Sequence, residues 1–450
     1  MDNSLIKYLL TLAVLFSSLT LFAQSEMTLE AATKYAKENS LSIKNAQIKI
    51  ADAEAQIEER KSVGLPQLNG KIDYSFYFKV PTVQLPGPFV DLARDPMTGQ
   101  LPDGYSPNVS FSLKHNFNLG LSLDALIFDG SYFTALKAAR NFRNYVDYEL
   151  KAKEKELADK VREAYLPSLL ITESIGNLDK NLTNLQKLFT ETQAMYKEGF
   201  IEQLDVDRLE LSIANLTTEK QNLIRQRESA MNFLKFSINY PIDKELVLTD
   251  NVQTLLTEAT EEDLTGEVNV QSHSQYQVIE KGLELNAQQV EIYRKGYLPS
   301  LAAFASYQYG FQGNQLNSTG FWVPVGLVGA QINVPIFDGF DKRAKIQRAK
   351  LAQEIAYNQK REFERAITLE LQNARTAYTS ARNQVASQKK NMELAEKIYN
   401  TTRVKYREGV GSSLEISQAE QSLYTTQQNH LVALYDLLVA KAALDKALGN

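Results

Sequence analysis

Two nearly glycine-free stretches constrain this chain more than any other feature. Gly130 to Gly199 covers 69 positions and Gly339 to Gly409 covers 70, and the only glycine inside either is Gly176. Both stretches are dominated by Ala, Glu, Lys, Gln and Leu, the residues that favour helix. At 1.5 Å per residue a helix of that length reaches roughly 100 Å, more than a compact domain can enclose. The expected object is a rod or the wall of a tube, its apolar stripes buried against neighbouring helices.

The stretches belong to a larger internal repeat. Ile127-Phe128-Asp129-Gly130 returns unchanged as Ile336-Phe337-Asp338-Gly339, an offset of 209 (336 minus 127). Tyr196-Lys197-Glu198-Gly199 is answered by Tyr406-Arg407-Glu408-Gly409, an offset of 210 (406 minus 196). Further upstream, Gly64-Leu65-Pro66-Gln67-Leu68 resembles Tyr297-Leu298-Pro299-Ser300-Leu301, so the first half carries 24 additional residues between its Leu-Pro and Phe-Asp-Gly motifs. Tyr165-Leu166-Pro167-Ser168-Leu169 has similar letters but sits in a helical pattern, and reads as coincidence. Each half gives the same order: helix, strand, loop, strand, very long helix, glycine turn, helix. The opening helix is expected over Leu29 to Lys61, stopped by the Leu-Pro motif because proline disfavours helix at the residue before it.

The strands are read from period-two alternation. In the first, Ile72, Tyr74, Phe76 and Phe78 alternate with Lys71, Asp73, Ser75 and Tyr77. In the return strand, Val109, Phe111, Leu113, Phe117, Leu119, Leu121 and Leu123 share a face broken only by His115, while Asn108 to Asp124 supplies small and polar residues to the other. The second half offers Leu301 to Gln312 and Trp322 to Phe337, with Tyr307, Tyr309 and Phe311 on one face and weaker alternation elsewhere. The additional residues of the first half cluster Pro81, Pro86, Pro88, Pro96, Pro102 and Pro107 with Gly87, Gly99 and Gly104, the composition of an exposed loop rather than strand.

Residues 1–23 read as an export signal: Lys7, an apolar run from Tyr8 to Phe16, and a cleavage expected after Ala23. The mature chain then has no cysteine, hence no disulfide and no thiol for a lipid anchor. Beyond residue 23 no run of 18 apolar residues occurs. Any passage through a bilayer must therefore be by a β-barrel. The near-balanced charge, 54 acidic against 49 basic residues for a net of -5, argues against a nucleic-acid partner.

A signal followed by two copies of helix, hairpin, long helix, glycine turn and helix resembles the TolC-like outer-membrane efflux protein family over residues 28 to 450. The paired Ile-Phe-Asp-Gly motifs carry the resemblance, with the turns Tyr-x-x-Gly-x-x-x-x-Leu-(Asp/Glu) at Tyr196 to Asp205 and Tyr406 to Glu415. It implies a mixed α and β fold: a homotrimer whose subunits each give four strands to one twelve-stranded transmembrane β-barrel, continued by a long periplasmic α-helical barrel. The division expected is a first repeat over 24–263, with a β-hairpin at 68–128, a helical hairpin whose tip lies near 199 and a belt segment at 240–263. A second repeat follows over 264–450, with a hairpin at 300–337 and a tip near 409. The resemblance further implies a passive conduit in the outer membrane, in contact with its lipid and served by a periplasmic adaptor and an inner-membrane pump. Gly199 and Gly409 would mark the turns where the adaptor docks. Asp205, Tyr406, Glu415 and Gln418 match positions that constrict the closed pore, although Gln418 has lost the usual charge and Gly411 stands where a gate-locking basic residue is usual.

Two other readings stay open. The same fold serves as the exit duct of type I protein secretion. A periplasmic structural coiled-coil protein would share the helices but leaves the lipid-compatible strand face unexplained. Catalysis has no support: no nucleophile elbow, phosphate loop or dinucleotide fingerprint occurs, and neither a cofactor nor a metal is expected. His115, His273 and His430 are far apart in sequence, with no ligand spacing between them.

Overall fold

The computed structural model describes residues 25–449 apart from 104, 107, 111, 257–258 and 317–319. The expected export signal, and the readings that involve Gly104, Pro107 and Phe111, lie outside the described residues. The elements, in order, are β1 (Ser25–Met27), α1 (Leu29–Asn39), α2 (Leu41–Ser62), β2 (Gln67–Phe76), β3 (Val83–Gln84), α3 (Gly87–Asp91), β4 (Asn108–Val109) and β5 (His115–Phe128). They continue with α4 (Gly130–Lys197), α5 (Gln203–Ser237), β6 (Leu246–Leu248), α6 (Glu261–Thr265), α7 (Ser274–Lys295), β7 (Ser300–Gly313), β8 (Phe321–Asn333), α8 (Asp341–Arg407) and α9 (Ser413–Leu448). No helix of the described residues is long and apolar enough to cross a membrane.

The chain divides into two compact units. One, residues 52–143 and 283–355, contains the sheet. Its four strands lie in the order β2-β5-β7-β8, every neighbour antiparallel. The register aligns side chains in rows across the sheet. Tyr74, Phe117, Phe311 and Trp322 form one row; Ile72, Leu119, Tyr309 and Pro324 form the next; Leu68, Leu123, Ala305 and Val328 lie farther along the same face. Apart from the histidine at its end, this face is apolar, yet Ile72, Leu121, Tyr307 and Val328 are exposed on it. Trp322 gathers the aromatic row, stacked 4.8 Å from Tyr309 and meeting Phe311 and Phe117 at an angle. The opposite face carries Asn69, Ser122 and Ser306, then Asp73, Asn118 and Gly310, until β8 adds Val323, Val325 and Leu327. Strands of 13 or 14 residues exceed the 9–11 that a tilted strand needs to cross a bilayer.

Three strand expectations are corrected. The return strand does not run from Asn108. Asn108–Val109 folds back on Val83–Gln84 as a separate ribbon, and β5 begins at His115. Ser110 anchors the break through its hydroxyl, which donates to the carbonyl of Ser112 at 2.6 Å. The first strand ends at Phe76, before Tyr77 and Phe78, and β8 ends at Asn333 rather than Phe337. Pro335, two residues on, has no N–H for a ladder. The proline-rich segment also holds more order than a bare loop: α3, the β3–β4 ribbon, and an Asp95 carboxylate that accepts the N–H of Met97 at 2.7 Å.

The two Ile-Phe-Asp-Gly copies end differently. In the first, Asp129 Oδ1 accepts the N–H groups of Ser131 (2.7 Å) and Tyr132 (3.1 Å), so α4 starts at once. In the second, Gly339 and Phe340 both take left-handed φ angles, 64° and 68°, before α8 begins. A phenylalanine there is a strained position, so identical letters yield two different strand-to-helix corners.

The other unit comprises residues 25–51, 144–282 and 356–449. The opening helix expected over Leu29 to Lys61 is broken at Ser40, where ψ is 126° and the hydroxyl pairs with that of Ser42; Asn39-Ser40 favours a cap over a helix interior. β1 pairs in parallel with β6. Beneath that ribbon lies a core of Ala32, Ala36, Val161, Tyr165, Leu169, Leu234, Ile238 and Val252. Tyr165 is fully buried; its hydroxyl donates to Met27 O (3.0 Å) and reaches Asp250 Oδ2 (2.9 Å), which also accepts the Leu29 N–H at 2.7 Å. Pro167 lies inside α4 beside this node, a position that ordinarily costs a helix about 3 kcal/mol. A second core, Leu178, Leu185, Leu188, Leu209, Tyr399, Tyr406, Ile416 and Leu423, runs along α4, α5, α8 and α9 toward the two glycine turns.

Candidate functional site

The two turns have the same construction. Gly199 and Gly409 both sit at φ 75°, a conformation that strains any residue with a Cβ. At the first, Gly199 N–H donates to Tyr196 O (2.9 Å) and Phe200 N–H to Met195 O (3.0 Å). At the second, Gly409 donates to Tyr406 O (3.1 Å) and Val410 to Lys405 O (3.0 Å). This paired closure satisfies the last free carbonyls of α4 and α8. Just beyond each glycine an apolar side chain stands in solvent: Phe200 is 77% exposed and Val410 76%. Leu204 and Leu414, also exposed, follow at matching positions.

Each second helix opens with an acid at its third residue, but the two acids have different company. Glu415 is exposed; its N–H is accepted by Ser412 Oγ at 3.2 Å, and its carboxylate faces the Ser412 N–H at 3.5 Å. Gln418, one turn on, is also exposed. Asp205 is half-buried and serves two partners. Its Oδ2 accepts the Glu202 N–H at 3.3 Å, capping α5, while Oδ1 accepts the hydroxyl of Ser413 at the start of α9. Arg208 Nη1 donates to the same Ser413 oxygen at 3.1 Å. The two hairpins are thus joined by a charged hydrogen-bond relay, Asp205–Ser413–Arg208.

A second link lies one turn deeper. Tyr406 is buried, and its hydroxyl meets that of Thr192 on α4 at 3.2 Å. Burial raises the Tyr406 phenol above its ordinary value; the Thr192 hydrogen bond opposes the shift and the charge of Asp205 adds to it. Arg407 reaches Glu191 at 3.5 Å on the outside. The structure therefore brings Asp205 and Tyr406 into inter-helix links and leaves Glu415 and Gln418 facing solvent. Sequence reasoning missed Ser413, Thr192 and Arg208. Ser413 could have been noticed as a buried-type position between a capping serine and its acid, but nothing local marks Thr192.

The model of the outer membrane efflux protein family matches residues 33–239 and 271–450, that is, both repeats without the segment between them. The chain belongs to the outer membrane efflux protein family. Among curated relatives of this outer membrane efflux protein, the cation efflux system protein CusC of Escherichia coli is 22% identical over 432 residues, 92% of this chain and 84% of that one. The alkaline protease secretion protein AprF of Pseudomonas aeruginosa is 20% identical over 326 residues, 72% and 68% of the two chains. Among solved structures, the open state of the MtrE outer membrane channel of Neisseria gonorrhoeae superposes with a TM-score of 0.69 at 18% identity, covering 94% of this chain and 89% of that one. The fold is that of such outer membrane channels. As an outer membrane efflux protein the chain resides in the outer membrane, its helical part extending into the periplasm, and acts as an efflux channel.

Proposed function

We propose that three copies of this chain close one passive conduit, through which substrates handed over by an inner-membrane pump and a periplasmic adaptor leave the cell. The observation that carries this reading is the open four-stranded sheet with an apolar face. β2 and β8 each have a single neighbour, and a strand edge in lipid leaves N–H and C=O groups without partners. Four strands are too few to enclose a bore; cyclic repetition of the chain pairs every edge. Three copies would give twelve strands, the number that the family resemblance implies.

In this reading residues 1–23 direct export, 24–263 and 264–450 are the two repeats, and 240–263 forms a belt. The turns at Gly199 and Gly409 are the adaptor's docking points, with exposed Phe200 and Val410 as its apolar contacts. Asp205 and Tyr406 hold the resting tip closed, and Glu415 with Gln418 lines its throat. Nothing in this role calls for catalysis. The similarity to a protease secretion protein favours one second reading, in which the cargo is an exported protein rather than a small solute.

The test is assembly and conductance together. Protein extracted in mild detergent is expected to run at three times the chain mass and to insert as discrete pores in planar bilayers. A monomeric mass with full secondary structure would refute the closure argument.

A further inference from the structure

Glu420 is the one acidic side chain on α9 that the tip core buries. It is 7% exposed and sits among buried Ile416, Ala419 and Leu423 on the same helix. Among the described residues its carboxyl has no hydrogen bond and no ion pair. The charged and titratable groups around it come from three helices. α8 supplies Tyr399, whose phenol feels the charge of Glu420 and also those of Arg403 on α8 and Glu191 on α4. On α5, Arg208 is engaged with Ser413, and Glu219 acts on Tyr424, one turn farther along α9. Arg403, which also acts on Tyr399, makes no ion pair with Glu420, and its own Nε is buried without a hydrogen-bond partner. A carboxylate held this way, unpaired and largely buried among apolar side chains, favours its protonated form.

We propose that Glu420 is a proton-operated latch of the tip: protonated, it lies sealed between the closed helices, and losing the proton drives those helices apart so that the carboxylate reaches water. The proposal deepens the gated-conduit reading and rests on it. Burial pushes the carboxyl up to about 8 from an ordinary 4.5. The acid is raised in the packed state, so its support for packing is complete below pH 4.5 and is lost as pH rises through 8. With the opened carboxyl at its ordinary value, the local opening constant rises up to roughly 70-fold per copy between pH 6 and 8.5.

The test is backbone hydrogen exchange of the full-length protein in detergent at pH 6, 7 and 8.5, corrected for the intrinsic pH dependence of the chemistry. Segments 188–209 and 403–424 are the ones to follow. Opening in the wild type is expected to increase at least about tenfold across that range. Glu420→Gln and Glu420→Met should both abolish the increase and stay as protected as the wild type at pH 6. A flat wild-type profile, or the same rise in both variants, overturns the latch; a flat profile is what an Arg403 side chain swung onto an ionised Glu420 would give. Bilayer conductance on the same samples separates the two claims. Exchange that switches through Glu420 in a protein that forms no pore removes the conduit and keeps the latch. Pores with pH-independent exchange do the opposite.

Discussion

The Asp205–Ser413–Arg208 relay can be priced from its parts. Ser413→Ala removes one hydroxyl that donates to a carboxylate and accepts from a guanidinium, while leaving the Asp205 cap on Glu202 untouched. A hydrogen bond to a charged group is worth about 1.5–3 kcal/mol. Asp205 and Arg208 are only half-buried, and water competes for both once the serine is gone, which lowers the loss to about 1 kcal/mol per link. If three copies open together the losses add, giving about 3 kcal/mol and a shift of roughly 150-fold toward the open tip. Single-channel recording measures that shift as open probability under conditions where the wild type is mostly closed. Asp205→Ala should open the channel to a similar extent, and the double variant little further, because both remove the same link. An open probability within twofold of wild type for Ser413→Ala, or fully additive effects in the double variant, would refute the claim that this relay holds the hairpins together.

Three further outcomes are expected. Glu415→Ala combined with Asp205→Ala should weaken both cation selectivity, read from reversal potentials, and block by trivalent cations from the periplasmic side, with oligomeric mass unchanged, since clustered carboxylates in a narrow throat attract cations. An epitope inserted at Thr98, in the exposed segment between β2 and β5, should be stained on intact cells; staining only after permeabilisation would reverse the orientation of the sheet. Tyr165→Phe should lower stability by about 1–3 kcal/mol in urea unfolding, because it removes the buried phenol's hydrogen bonds to the half-buried Asp250 carboxylate and to the Met27 carbonyl, and loss of less than half a kcal/mol would show that water replaces the phenol.

The sequence made legible whatever depends on short-range periodicity. The long helices, both glycine turns and the alternating face from Phe117 to Leu123 follow from patterns that have one structural solution each. Partner choice was not legible. Asn108 and Val109 continue the alternation of β5, and nothing in those two residues says that they pair with Val83–Gln84 instead. The Ile-Phe-Asp-Gly copies match letter for letter, but one asparagine-like cap at Asp129 and two left-handed residues at Gly339 and Phe340 are decided by surroundings beyond the motif. At the tip, Asp205 was read as a charge in the throat and is also a cap and a cross-hairpin acceptor. The cap on Glu202 is local, but the cross-hairpin role requires Ser413, which is 208 residues away, and no local pattern carries information over that distance.

The β1–β6 ribbon implies an order of events during biogenesis. Leu29 and Asp250, which bond across it, are 221 positions apart, and both strands contribute only three residues each. The segment that emerges first from an export channel therefore stays without its partner until more than half of the chain has followed. Contacts this distant form slowly, because the chain entropy of closing so large a loop must be overcome before the short ribbon returns anything. Through that interval only β2 and β5 of the sheet have emerged, and their apolar face waits longer still, until β7 and β8 follow at residues 300–333.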